Sequence, residues 1–102
     1  MNNYGYIYFL RFVDSGGQAY YKIGITRNDI IGRINSIQTS IPFKISVVKH
    51  VFVQNFRLKE KDLHNKYIKY KVLNEWFCFS SDELIFLSDI SQLQGDINGN
   101  FS

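Results

Sequence analysis

The chain has 102 residues, 45% of them hydrophobic and 21% charged, with a single Pro. That is the length of one domain and the composition of a packed globule, not of a disordered or fibrous chain. The longest apolar run, Tyr6 to Leu10, is far short of the ~20 residues that span a bilayer, so no membrane association is expected. Met1-Asn2-Asn3 lacks the positive start of a secretory signal. Cys78 is the one cysteine, which excludes an internal disulfide, and His50 and His64 beside it leave a structural zinc site short of ligands. A reducing, cytoplasmic setting is the expectation.

The net charge of +3 hides an asymmetry. Residues 1–71 hold all twelve Lys and Arg and four acids, a balance of +8. Residues 72–102 hold five acids and no Lys or Arg, a balance of −5. A basic body suits a polyanion, most simply nucleic acid, although a few surplus lysines are common in small proteins.

In chain order, Tyr4 to Phe12 is β-branched and aromatic and reads as a strand. Val13-Asp14-Ser15-Gly16-Gly17 is a turn cluster, and Tyr20 to Ile25 is the returning strand of a hairpin. Asp29 can cap a helix whose Ile30, Ile34 and Ile37 share a stripe. Pro42 closes that region, and Lys44 to Val53 is a third strand. Asn55 can cap a second helix running to about Tyr70. Glu75 to Phe79 reads as a short strand or extended link. Ser80-Ser81-Asp82-Glu83 has the pattern of a capping box opening a third helix. The expected domain spans 1–94, with a flexible C-terminal tail over 95–102. The order β-β-α-β-α-(β)-α implies an α+β fold, a small sheet with helices around it.

Within the hairpin, Ile7, Phe9, Tyr21, Ile23 and Ile25 form an apolar face. Tyr6, Tyr8, Leu10, Tyr20, Lys22 and Gly24 share the other. Pairing Phe12 with Gln18 sets Tyr8 opposite Lys22, and a one-residue slip would part them. On the second helix, Phe56, Leu63, Tyr67 and Tyr70 form a stripe, and Glu60 falls within ~40° of Phe56. A carboxylate there is costly unless paired or bound to a metal; a rim carboxylate paired with a lysine is the plain alternative. His64 follows one turn on, at the stripe's edge, where a half-buried packing histidine is the plain alternative. Arg33 flanks the first helix's stripe, and Arg27 precedes that helix; each is either a solvated arginine or a phosphate contact.

These residues in this order resemble the GIY-YIG nuclease superfamily. Tyr6-Ile7-Tyr8 matches its first signature, and Lys22-Ile23-Gly24 its second. Arg33 matches the helix arginine, and Glu60 in Glu60-Lys61-Asp62-Leu63-His64 matches the acidic residue. Gln38-Thr39-Ser40-Ile41-Pro42 and Glu75-Trp76-Phe77 fit a small phage and bacterial branch of that family. Tyr6 replaces the first signature's glycine, and Lys22 the second's tyrosine.

The resemblance implies a three-stranded antiparallel sheet flanked by helices, and a metal-dependent endonuclease that hydrolyses DNA. Glu60 would hold Mg²⁺ (or Mn²⁺), whose remaining ligands are water and phosphate oxygens. Tyr8 would act as general base, with Lys22 lowering its pKa. Arg33 would neutralise phosphoryl charge. His64 and Tyr20 would orient water or contact phosphate. Arg27, Lys22, Arg33 and Tyr6 would bind the nucleic acid. With no helix-turn-helix or zinc-finger signature, weak sequence preference, recognition of structure or a separate specificity subunit is expected, and double-strand cleavage by a single active site would need a homodimer or two visits. The alternatives are a catalytically silent nucleic-acid-binding or regulatory module of the same fold, and a structural domain with no ligand.

Overall fold

A computed structural model describes residues 3–96. Five strands and three helices alternate along the chain. Strand β1 (Gly5–Val13) turns through the Asp14–Gln18 loop into β2 (Ala19–Thr26). Helix α1 (Ile30–Gln38), β3 (Ser46–Val53) and α2 (Phe56–Lys66) follow. A single 3₁₀ turn (Ile68–Tyr70) leads into β4 (Lys71–Leu73) and β5 (Trp76–Phe77), and a second (Ser80–Asp82) into α3 (Glu83–Ser91). The sheet order is β3-β1-β2-β5-β4, and every neighbouring pair is antiparallel. The expected three-stranded sheet is therefore five-stranded. Strand β5, two residues, falls within the expected Glu75–Phe79 strand or link, and β4, three residues, is too short to show any alternation in the sequence.

Both faces of the sheet are covered. On one, Ile7, Phe9, Tyr21, Ile23, Val51 and Val53 pack against Phe56 of α2, Tyr67 just past its end, and Phe86 and Ile90 of α3. On the other, Tyr8, Leu10 and Ile45 pack against Ile30, Ile34 and Ile37 of α1, with Phe12 and Trp76. The alternation read from the hairpin holds, but its register is shifted. Phe12 pairs with Tyr20, Leu10 with Lys22, and Tyr8 with Gly24. The shift is two residues, so every side chain keeps its face while its cross-strand partner changes. The loop fixes this register: Asp14 Oδ1 accepts the Gly16 and Gln18 amides, each at 2.9 Å, and the Asp14 amide donates to the Gln18 carbonyl at 3.0 Å.

Asp29 caps α1 as expected, accepting the Gly32 amide at 3.0 Å. Helix α2 ends at Lys66 rather than near Tyr70, where the backbone tightens into 3₁₀ geometry. Asn55 precedes it in a left-handed conformation, φ 55°, and makes no side-chain cap bond. The expected capping box at α3 does not form, because its acids are used elsewhere. Asp82 accepts the Tyr70 hydroxyl at 2.5 Å, and Glu83 accepts that of Tyr21. Of the expected tail, residues 97–102 lie outside the described part. Asp96 is tied down: its amide donates to the Phe52 carbonyl at 3.1 Å, and its carboxylate accepts Lys59 Nζ at 2.5 Å. Among the described residues no helix is long and apolar enough to cross a membrane.

Candidate active site

Strand β5 is only two residues long, so the edge of β2 beyond Lys22 has no strand beside it. Helix α2 approaches this opening from one face and α1 closes the other, and residues from both layers meet there.

Tyr8 stands on β1, an interior strand between β3 and β2, across from Gly24, and is wholly buried. Its ring lies over that glycine. A Cβ at position 24 would come within 2.5 Å of both Tyr8 Cζ and Oη, so the glycine of Lys22-Ile23-Gly24 makes room for the tyrosine. Arg33, from α1, donates Nε–H to the Tyr8 hydroxyl at 3.3 Å. Burial raises the Tyr8 pKa above its ordinary 10; the hydrogen bond and charge of Arg33 oppose the rise without cancelling it.

The expected Tyr8–Lys22 pair is corrected by the register. Lys22 Nζ lies 2.7 Å from Glu75 Oε1 and 5.6 Å from the centre of the Trp76 ring. The cation on Tyr8 is Arg33, and Tyr8 is a phenol at neutral pH. Glu75 is the member of the site that spacing missed. It is the one acid between Asp62 and Asp82, and its carbonyl also accepts the Ile23 amide at 3.3 Å.

Glu60 lies on the inward stripe of α2, as helical spacing predicts. Its side chain is 18% exposed, and its Oε2 is buried without a hydrogen-bond partner. Burial is the largest cause of its raised pKa, followed by the charge of Glu75; His64, Lys22 and Arg57 offset part of this. Tyr8 in turn feels the charge of both Glu75 and Glu60. His64 Nε2 is 3.8 Å from Glu60 Oε2, too far for a hydrogen bond, and 2.9 Å from the Ile23 carbonyl. A carbonyl only accepts, so Nε2 carries the proton and donates it to β2. His64 thereby closes the strand edge that β5 leaves open.

The remaining predicted residues lie around this core. Tyr20 stacks on Phe12, centroids 5.2 Å apart, two residues along β2 from Lys22, and pairs with Phe12, four residues along β1 from Tyr8. Tyr6 is one step along the same face as Tyr8, against Phe52 and His50. The Arg27 guanidinium lies 5.3 Å from the Phe56 ring centre, at the end of the sheet.

Among the described residues no group of three or more His, Cys, Asp or Glu is arranged to hold a metal ion. A hard divalent cation that keeps water and phosphate oxygens needs fewer protein ligands. The orphaned Glu60 Oε2 is the kind of atom such a cation would satisfy.

The α+β sheet thus gathers a wholly buried Tyr8 with Arg33, Lys22, Glu60 and Glu75. The chain belongs to the T5orf172 domain family, whose profile matches residues 5–89. The match runs from the start of β1 into α3 and contains every residue of the site. No curated protein and no solved structure is significantly similar to the chain.

Proposed function

We propose that the protein is a metal-dependent endonuclease of the GIY-YIG type that hydrolyses DNA phosphodiester bonds with low intrinsic sequence specificity. One observation carries this reading. A buried carboxylate oxygen of Glu60 has no hydrogen-bond partner, and its charge is coupled to Lys22 beside a Tyr8–Arg33 pair. A stable fold would fill or remove such an atom, whereas a cation-binding one keeps it.

Glu60 would hold Mg²⁺ or Mn²⁺. When bound, the cation supplies Lewis-acid charge at the scissile phosphate and the leaving oxygen. Arg33 neutralises charge developing on the phosphoryl oxygens. Lys22, held by Glu75, binds a phosphate oxygen or the attacking water. Tyr8 orients that water through its hydroxyl and removes its proton when ionised. Arg33 is the group that favours ionisation; burial opposes it. Arg27 contacts flanking phosphate. His64 and Tyr20 support the site, the one through β2 and the other through Phe12.

Purified protein with Mg²⁺ is expected to nick supercoiled plasmid, and Glu60→Ala and Tyr8→Phe to abolish nicking. Cleavage that survives Glu60→Ala would remove the metal site. The complete burial of Tyr8 favours a second reading, a catalytically silent nucleic-acid-binding module. DNA binding without cleavage of any substrate across a broad metal screen would select it.

A further inference from the structure

The face of the sheet that carries Tyr8 is covered unevenly. Under α1, Tyr8 and Leu10 are wholly buried. One step toward the N-terminus the cover ends. Tyr4, Tyr6 and Phe52 are left half-buried, and His50 exposed. Their rings form one continuous ledge across β1 and β3. Tyr6 lies 4.9 Å from Phe52 and 5.9 Å from His50, and Tyr4 stacks on Phe52 at 5.9 Å with 13° between planes. Tyr6 pairs with Phe52 across the strands, and Tyr8 with His50, so the ledge abuts the site.

We infer that this ledge stacks an unpaired nucleobase of a single DNA strand whose phosphate lies at Arg33. The inference rests on the nuclease reading and narrows its substrate to DNA opened near the cut. Rings side by side on adjacent strands of an open sheet face are a surface on which unstacked bases settle, because every base has a π-face. Charge fits the same occupant. Arg33 borders the ledge through Tyr8, and Arg27 directly follows Thr26, the cross-strand partner of Tyr6 at the end of β2. Asp96, which meets β3 at Phe52, has its carboxylate on Lys59. A strand with its base on Tyr6 and Phe52 would run its backbone from Arg33 toward the end of β2, where Arg27 follows Thr26.

The test is fluorescence anisotropy in EDTA, so that nothing is cut, with labelled dT12 and a labelled 12-base-pair duplex as probes. Tyr6→Ala and Phe52→Leu are each expected to weaken dT12 binding about tenfold or more, with duplex binding within about twofold of wild type. Tyr6→Phe keeps the ring and is expected to keep dT12 affinity. Phe52→Leu preserves apolar bulk, so a loss there reads the ring and not the fold. The inference is overturned if wild type fails to bind dT12, or if both probes weaken alike in the variants. It is also overturned if wild type is a dimer that Tyr6→Ala dissociates, which would make a second copy the occupant. Intact dT12 binding with no cleavage under any divalent metal overturns the nuclease reading and leaves the ledge standing. Nicking without dT12 binding does the reverse.

Discussion

Glu60 holds its proton more tightly in the folded chain than in the unfolded one, since burial and Glu75 together raise its pKa. Ionised at neutral pH, it therefore opposes folding, and that cost disappears as pH falls through its raised value. Glu60→Gln removes the charge at nearly constant shape. It is expected to raise the melting temperature at pH 7.5 by roughly 2–5 °C, with the gain fading toward pH 4. Thermal melts across that range check this, and a Gln variant that melts lower than wild type would mean the carboxylate is satisfied in the fold. Tyr8 gives the complementary signal. Its pKa is raised above 10, so a rate that depends on phenolate should keep climbing above about pH 9 instead of levelling near neutrality. A profile flat from pH 7 to 9.5 would assign the proton to another acceptor.

At the scale of elements, the hairpin β1–β2 positions the site, and Gly24 is where it closes on Tyr8. Gly24→Ala puts a methyl group into the Tyr8 ring and is expected to cost about 1–3 kcal/mol, read as a lower urea midpoint, with loss of cleavage. Gly16→Ala, in the loop, meets only Asp14 Oδ1 at 3.5 Å and is the near-neutral control. The same hairpin marks what could be read in advance. The two faces were legible because strand alternation survives a two-residue slip, and the partners were not, because loop bonds from Asp14 set the register. The inward place of Glu60 followed from the helical period of α2. Glu75 on Lys22 did not, because no local pattern joins residues 53 positions apart. The caps expected at α3 failed for a similar reason: Asp82 and Glu83 bond to the tyrosines of distant elements.

For the whole molecule, the acidic C-terminal stretch offsets part of the basic body from within. Glu75 pairs with Lys22, Glu83 with Arg11, Asp89 with Lys66 and Asp96 with Lys59. These contacts leave the +8 of residues 1–71 partly neutralised, so a small phosphate footprint is expected. If Arg27, Arg33 and one further cation reach phosphates, log affinity for duplex DNA should fall with log salt at a slope of about −3. Arg27→Ala should reduce that slope by about one. Titrations from 50 to 300 mM salt check both, and a slope near zero would favour a domain with no nucleic-acid ligand.

The sheet order also divides the site by lifetime. Tyr8 rides on β1, hydrogen-bonded to a strand on either side and covered on both faces. Amide hydrogens at Ile7, Phe9 and Leu10 should exchange with solvent only when the whole domain opens. Glu60 rides on α2, most of whose residues face outward, and its amides should exchange through local fraying. One half of the constellation would then last as long as the fold itself, while the other is remade many times within that span.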